Sequence, residues 1–532
     1  MMDMLPPHVY QFLNFAASAF IFLIGLGILG LIGVFVHDVI QKKDAILRNY
    51  PVVGHLRGGL SHLGEFFRQY FFALDREEMP FNRAERDWVH KSSKGRDNTV
   101  AFGSTRSLSP VGTPIFVNCP FPPLDEEAEN PPEIVFGEGA ARPYRTRSLI
   151  NISAMSYGAI SKPAVLALSK GAKLAGCWMN TGEGGLSPHH LEGGGDIVFQ
   201  IGTAKYGVRA TDGLLSDDKL REIAAHDQVR MIEIKLSQGA KPGKGGILPG
   251  GKVTGEIAAI RGIPEGEDSI SPNRHLDIGS LDDLLDAVHR VREVTGRPTG
   301  FKTVIGDTGW LDELFALVRV RGQASAPDFI TVDSGDGGTG AAPMPLMDNV
   351  GLPVRESLPM VADILYAHGL KDRIRLIASG KLITPSGVAW ALCAGADFVT
   401  SARGFMFSLG CIQAMKCNRN TCPTGITTHV PRLQRGLDPA DKAVKVASYC
   451  RNLVHEVETI AHSCGVPEPR RLKRYHVRIV QADGTSVPLD VLEPCSEGPE
   501  DLSVIDRNAG RMAPRTMAAV APHPVDGIAG QA

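Results

Sequence analysis

Three cysteines within one short segment, Cys411-x5-Cys417-x4-Cys422 followed by Pro423, carry the strongest local chemistry in this sequence. Iron–sulfur clusters are held by cysteine thiolates, and three of them can hold three irons of a cuboidal cluster. A structural zinc site usually takes four ligands, often as paired Cys-x2-Cys units. His429 offers a fourth ligand, so spacing alone leaves cluster, zinc and no metal open. Cys119, Cys177 and Cys393 stand alone and read as small buried hydrophobes. Nine cysteines placed this unevenly do not make a secreted disulfide scaffold.

A second group of residues could receive a phosphate. Ile377 to Lys381 and Val399 to Gly404 end two consecutive strand patterns in small residues, including Gly380 and Gly404. Small residues after strands let backbone N–H groups approach an anion, although glycines there also make tight turns. The run Asp333 to Gly340 holds Gly335, Gly337, Gly338 and Gly340, and is either a flexible loop or a close backbone approach to a ligand. Its position directly after a buried strand favours the ligand.

A third group is charged. Lys235-x2-Gln238-x2-Lys241 closes a strand and runs into a glycine loop. Cations and an amide spaced this way suit a dicarboxylate or a flavin anion, and a solvated lysine cluster would give the same spacing. Lys302 lies inside the strand pattern Gly300 to Ile305, where an unpaired charge is expensive to bury, so a partner is expected. Glu183 is a lone acid in a glycine turn, ambiguous by itself. The adjacent His189 and His190 are given no role.

These residues need a scaffold, and the chain from about Ser148 alternates strands with helices. Strands are expected at Leu149 to Met155, Arg230 to Lys235 (interrupted by Glu233), Gly300 to Ile305, Asp328 to Asp333, Ile374 to Ala378 and Asp397 to Thr400. One helix is capped by Ser161 and closed by Gly176; another starts at Ser280, with Asp283 three residues on, and ends at Gly296. Leu311 to Arg319, Leu358 to His368 and Pro385 to Ala394 supply further helices. Repeated βα units give a parallel sheet. Candidate site residues follow many successive strands, which favours a closed (β/α)8 TIM-type barrel over an open doubly wound sheet. Residues Tyr475 to Leu492 read as a hairpin turning at Asp483-Gly484. The tail beyond Cys495, rich in Pro, Gly and Ala, is expected to have little fixed structure.

Phe15 to Val36 does not belong to a soluble fold: it is uncharged and almost wholly apolar, long enough to cross a bilayer. No basic start precedes it, so a retained single-pass helix is expected rather than a cleaved signal. Lys42, Lys43, Arg48 and Arg57 follow it, which places the remainder on the cytoplasmic side of an inner membrane. Leu60 to Leu74 has helical spacing, either as an amphipathic segment near the membrane or as a helix packed on the barrel. The expected divisions are an anchor over 1–40, an extension over 41–147 packing on the barrel, the barrel with its cysteine segment over 148–466, and a hairpin with tail over 467–532. Charged residues at 21% and a net charge of −2 exclude an obligate nucleic-acid binder.

The motifs also occur as a set. Asn180 to Gly185 (NTGEGG), Gln238 to Gly243 (QGAKPG), Asp336 to Gly340 (DGGTG) and the three-cysteine segment, in that order, closely resemble the FMN-binding central domain of glutamate synthases. The similarity spans roughly Asn151 to Cys464. It implies a (β/α)8 barrel carrying FMN and a 3Fe–4S cluster held by Cys411, Cys417 and Cys422. By the same resemblance, Ala154, Met155, Thr181 and Lys302 lie against the isoalloxazine ring. Gly335, Gly337, Gly338, Gly380 and Gly404 surround the ribityl phosphate. Glu183 and Lys235 stand beside flavin and substrate, and Gln238, Lys241 and Arg261 hold 2-oxoglutarate. The implied reaction passes electrons from an external donor through the cluster to FMN, then as hydride to 2-iminoglutarate. No nicotinamide-binding glycine motif stands in a strand–helix context, so a ferredoxin-like protein or membrane carrier is the expected donor. Ammonia would come from solution or another subunit, and a homo-oligomer is a further option. Ile247 and Asn273-Arg274-His275 depart from the family pattern. They open the alternative of a different amino or hydroxy acid; a membrane-bound redox relay is a third option, against which the intact Glu183, Lys235, Gln238, Lys241 and Lys302 argue.

Overall fold

The computed structural model describes residues 6–96 and 98–494, so the tail expected to lack structure lies outside the described residues. Eight parallel strands close into a barrel: β1 (Ile150–Ile152), β2 (Trp178–Asn180), β3 (Asp196–Ile201), β4 (Val229–Lys235), β5 (Thr299–Val304), β6 (Phe329–Asp333), β7 (Arg375–Ser379) and β8 (Phe398–Ser401). Each pairs with its successor, and β8 returns to β1 with Thr400 opposite Asn151. This is the (β/α)8 architecture expected from candidate site residues that follow successive strands. The strands β2 and β3 escape a reading by periodicity, because β2 has three residues and β3 carries Asp196 and Gln200 within its apolar run.

The helices begin and end where the capping residues sit. Ser161 Oγ accepts from the N–H of Ala164 to start Lys162–Ala175, and Gly176, at φ 73°, closes it. Ser280 does the same for Leu281–Thr295, with Gly296 at φ 66°. The Asp283 carboxylate bonds back to the N–H of Gly279, one residue before the cap. After β8 the chain makes the short helix Arg403–Ser408, crosses the cysteine loop, and enters the long helix Pro439–Ser463, which packs against Lys162–Ala175 and Pro385–Cys393. The expected hairpin forms from Val477–Val480 and Ser486–Pro488, with Gly484 at φ 80°. It differs from expectation in two ways. Pro114–Phe116 adds a third strand, and Leu489–Leu492 is a helical turn, since Pro488 ends the ladder and suits a helix start.

The barrel is sealed at its N-terminal end by a small antiparallel ribbon, Ile134–Phe136 with Tyr144–Thr146. Phe136 is fully buried there. It stacks on Phe398 at 4.7 Å and meets Trp178 and Phe329 edge-on, each at 5.7 Å. These three rings come from the first residues of β8, β2 and β6, so the ribbon plugs the bottom and leaves the opposite mouth for chemistry.

The chain divides into two compact units between Glu85 and Arg86. The first contains the helix Pro7–Ile40, 34 residues, long and apolar enough to cross a membrane. At its end the buried Asp38 carboxylate accepts from the N–H of Val52 and from His55 Nε2, both at 2.9 Å. The Leu60 to Leu74 segment is helical from Gly54 to Phe67 and continues as a wider turn over Arg68–Phe72.

Replacing Phe136 with Ala opens a cavity among four aromatic rings, those of Tyr144, Trp178, Phe329 and Phe398. We expect a loss of about 3–5 kcal/mol, read as a lowered midpoint in chemical denaturation followed by tryptophan fluorescence. An unchanged midpoint would show that the ribbon does not seal the barrel.

Candidate active site

The residues that project into the barrel form layers. Along β4, Met231, Glu233 and Lys235 face inward in turn, so one strand supplies an apolar, an acidic and a basic group at successive levels from floor to mouth. The lowest layer is apolar, with Trp178, Val198, Met231, Phe329, Ile377 and Phe398 around Phe136. At the mouth, a cavity is lined by residues that follow strands β1, β2, β4, β6, β7 and β8, together with Lys302 from β5.

Lys235 and Lys302 are register partners on neighbouring strands. Two buried ammonium groups abreast repel unless each is paired. Lys235 Nζ pairs with Glu183 Oε1 at 3.0 Å and also donates to Gln238 Oε1. Lys302 Nζ pairs with Asp333 Oδ2 at 3.1 Å, and the same oxygen accepts from the N–H of Gly239. Asp333 is thus the partner that Lys302 was expected to require. Burial opposes the charge of Lys302, but Asp333, Glu233 and Glu183 outweigh it and hold the ammonium above its ordinary range. Burial likewise opposes ionisation of Glu183, yet Lys235, Lys241 and Arg261 prevail and keep its carboxyl below the usual value. Glu183 fits because its neighbours have no side chains: a Cβ on Gly202 would lie 2.5 Å from Glu183 Cβ, and one on Gly246 would lie 2.2 Å from Oε1.

Lys241 is buried at the cavity wall, and burial, with repulsion from Lys235, depresses it to about 8. Arg261 donates to Ser269 Oγ and to the carbonyl of Tyr157, and lies over the Tyr206 ring. Its buried Nε has no partner among the described residues. This end of the cavity therefore holds cations ready for a carboxylate. Ile247 and Leu248, from the long loop after β4, supply apolar wall beside them.

The opposite end is built from the segments after β6, β7 and β8: Gly338 to Ala341, Ser379 to Lys381 and Ser401 to Arg403. Lys381 pairs with Asp336 at 2.9 Å, and Arg403 Nη2 donates to the carbonyl of Thr339. A Cβ on Gly338 would come within 2.9 Å of Arg403 Nε. Small residues, late strand ends and two cations fit a phosphate there. Between the two ends the wall is Ala154, Met155, Ile383 and Met406, apolar enough for a flat ring. The cavity thus fits FMN in its chemistry from end to end.

Of the residues singled out in the sequence, Ala154, Met155, Glu183, Lys235, Gln238, Lys241, Arg261, Lys302, Gly338, Gly380 and Cys417 meet in this one cavity. Thr181, Gly335, Gly337, Gly404, Cys411 and Cys422 do not line it. Thr181 accepts from the N–H of Gln200 and braces the Glu183 turn. Gly335 packs on Gly351, and Gly337 on Ser334 and Gly239. A Cβ on Gly404 would strike Tyr449 Oη at 2.1 Å, so that glycine serves the long helix. Sequence reasoning missed Lys252, which is buried, lines the cavity, and donates to the carbonyls of Ala159 at 2.6 Å and Cys417 at 3.2 Å. Its only signal was a lysine inside a glycine-rich loop.

The three cysteines share one loop beside the cavity, and Cys417 lines it. As donors they suit iron, but no three His, Cys, Asp or Glu side chains among the described residues converge on a metal position. Cys422 Sγ instead contacts Thr424 Oγ1 at 3.2 Å. His429, a possible fourth ligand by spacing, turns its Nε2 to the carbonyl of Gly158 at 2.8 Å. His189 and His190 stay out of the cavity; His189 pairs with Glu256 at 2.8 Å.

Comparison with known proteins adds a second line of observation. A family model described as the conserved region in glutamate synthase matches residues 122–467. The "Glutamate synthase large subunit-like protein YerD" of Bacillus subtilis is 39% identical over 498 residues, 86% of this chain and 94% of that one. The "Archaeal glutamate synthase [NADPH]" of Methanocaldococcus jannaschii is 35% identical, covering 64% of each chain. An "Archaeal-type glutamate synthase [NADPH]" of Thermotoga maritima is 34% identical over 60% of this chain and 59% of its own. The chain therefore spans nearly all of the first relative and somewhat under two thirds of the other two.

Because Lys241 is depressed to about 8, its charge is present at pH 7 and lost as pH rises through that value. Binding of a dicarboxylate such as 2-oxoglutarate, followed by calorimetry, should hold steady below pH 7.5 and weaken up to about tenfold per unit above 8. Lys241→Met should flatten that limb, and the same pH dependence in the variant would remove Lys241 from the anion site.

Proposed function

This chain belongs to the glutamate synthase family, and from that premise we propose that it is an FMN-dependent oxidoreductase acting at a CH–NH2 centre, reducing 2-iminoglutarate or a related imine with electrons from an external donor. The observation that carries the reading is the polarity of a single cavity, with a paired Glu183–Lys235 centre and two further cations at one end and Lys381 with Arg403 at the other. Bound FMN would supply the two-electron redox step, passing hydride to the imine carbon.

The protein's part is positioning and charge. Lys241 and Arg261 bind the substrate carboxylates. Glu183, held ionised at neutral pH by its three cationic neighbours, accepts a hydrogen bond from the imine nitrogen. Lys302 and Lys235 present positive charge toward the ring. Ile247 and Leu248 keep water from the reacting carbon. Ala154 and Met155 pack on the ring, and Lys381 and Arg403 meet the phosphate.

The family relationship also supports an iron–sulfur cluster, of the 3Fe–4S kind, on Cys411, Cys417 and Cys422, because all three lie on one loop and Cys417 reaches the cavity wall. The apolar helix Pro7–Ile40 supports a single membrane anchor, with the basic residues after it favouring a cytoplasmic barrel. One observation favours a second reading. Ile247 puts an apolar side chain in the cavity, which suits a different amino or hydroxy acid better than 2-oxoglutarate.

Purified full-length protein given a reduced viologen, ammonia and 2-oxoglutarate should form glutamate. Flavin reoxidised only by another acid selects the second reading, and protein without flavin sinks both. Cys417→Ala should lose most of its iron while retaining flavin; unchanged iron content would remove the cluster assignment. Deleting residues 1–36 should release yellow protein from the membrane fraction, whereas product that stays in the pellet would contradict the single anchor.

A further inference from the structure

The middle layer of the barrel contains a carboxylate that the proposed chemistry leaves unused. Glu233 lies two residues below Lys235 on β4 and is 3% exposed. Barrel interiors at this depth are usually filled by branched apolar side chains. Here the layer is polar, with Asn180, Gln200, Glu233, Lys302, Thr331 and Thr400. Both carboxylate oxygens are engaged: Oε1 accepts from Asn180 Nδ2 at 2.8 Å and Gln200 Nε2 at 2.6 Å, and Oε2 from Thr331 Oγ1 at 2.7 Å. All three donors are neutral. They satisfy hydrogen bonds without cancelling the charge, and a buried charge needs an opposite one.

The cation facing this layer is Lys302, which lines both the interior space around Glu233 and the cavity at the mouth. The network reaches the mouth by a second route. Asn180 donates to Glu233 with its amide nitrogen, while its Oδ1 accepts from the N–H of Gly182 at 2.9 Å, inside the turn that carries Glu183.

We propose that Glu233 is a positioning residue for this site, acting as a counter-charge to Lys302 across the interior space that both line, and through Asn180 on the Glu183 turn. Its consequence for the cofactor rests on the FMN reading above, while the charge relation is a property of the chain itself. Lys302 faces Asp333 on β6, Glu233 on β4 and Glu183 after β2, with Lys235 as the like charge abreast of it. Asp333 pairs directly with Lys302, and Glu233 adds negative charge from the layer below.

The test reads Lys302 protonation directly. Full-length protein is treated with acetic anhydride at pH 9, and Lys302 acetylation is followed by peptide mass spectrometry against exposed Lys173. Only the neutral amine reacts, and its fraction changes tenfold per pKa unit. Glu233→Gln keeps an acceptor for Asn180 and Gln200 and a group that can donate to Thr331 Oγ1, but removes the charge. Lys302 should then acetylate about tenfold faster, with Lys173 unchanged. Thr331→Val and Glu233→Asp disturb the hydrogen bonds without removing charge, and should stay within about twofold of the wild type. An unchanged rate in Glu233→Gln, or equal acceleration in the charge-preserving variants, overturns the proposal. If Glu233→Gln does not fold, Glu233→Asp decides: acceleration there means packing rather than charge. With FMN bound, Glu233→Gln should also move the flavin midpoint to a more positive potential. Protein that binds no FMN would sink the cofactor reading and leave the acetylation result standing.

Discussion

Two lysines held side by side inside a barrel are the constraint on which this site depends. Lys235 and Lys302 are in register on β4 and β5, both buried, at a spacing fixed by the sheet. Removing an ion from water costs several kcal/mol, roughly, even after relaxation. The fold answers with anions from three other places: Glu183 after β2, Asp333 at the end of β6, and Glu233 one layer down. Asp333 and Glu233 also accept hydrogen bonds from neutral donors, which hold those carboxylates in place.

Much of the surrounding backbone is arranged to make room for those charges. Gly202 and Gly246 leave space for Glu183, and Gly239 brings its N–H to Asp333. The glycine run after β6 divides its work. Gly335 and Gly337 let loops pack on one another, while Gly338 and Gly340 line the cavity, Gly338 against Arg403. At the bottom, Gly300 gives way to Phe329, and Phe136 completes an apolar floor. A rigid, closed lower half holds the polar middle layer in place, and that layer orients the mouth. Preorganisation of this kind lets charged groups act on a reacting centre without reorganising.

The cysteine loop and the insertion after β4 meet through Lys252, whose ammonium bonds to the carbonyls of Ala159 and Cys417. That bond joins the loop after β1, the insertion and the cysteine loop at one point on the cavity wall. It places a buried cation next to the thiols, a suitable neighbour for any anionic group they hold.

The sequence by itself determined what is local or what recurs as a set. Ser161 with Gly176, and Ser280 with Gly296, mark helix ends because capping depends on residues within one turn. The strand–helix alternation pointed to a parallel sheet, candidate residues after successive strands favoured its closure into a barrel, and four motifs in order pointed to the family. The apolar stretch near the start stood out because a span of that length needs no partner to be recognised. Only the tertiary structure decided which charges pair and which glycines serve the site. Asp333 lies 31 positions from Lys302 in the chain and meets it only because β5 and β6 adjoin. Glu233 looked like an interruption in an apolar strand until closure brought Asn180, Gln200 and Thr331 around it. Gly404, placed with the phosphate by resemblance, also leaves room for Tyr449, a contact that no local motif signalled. The reason is common to all three: electrostatic and steric partners are set by barrel register, and register is not written in any one segment.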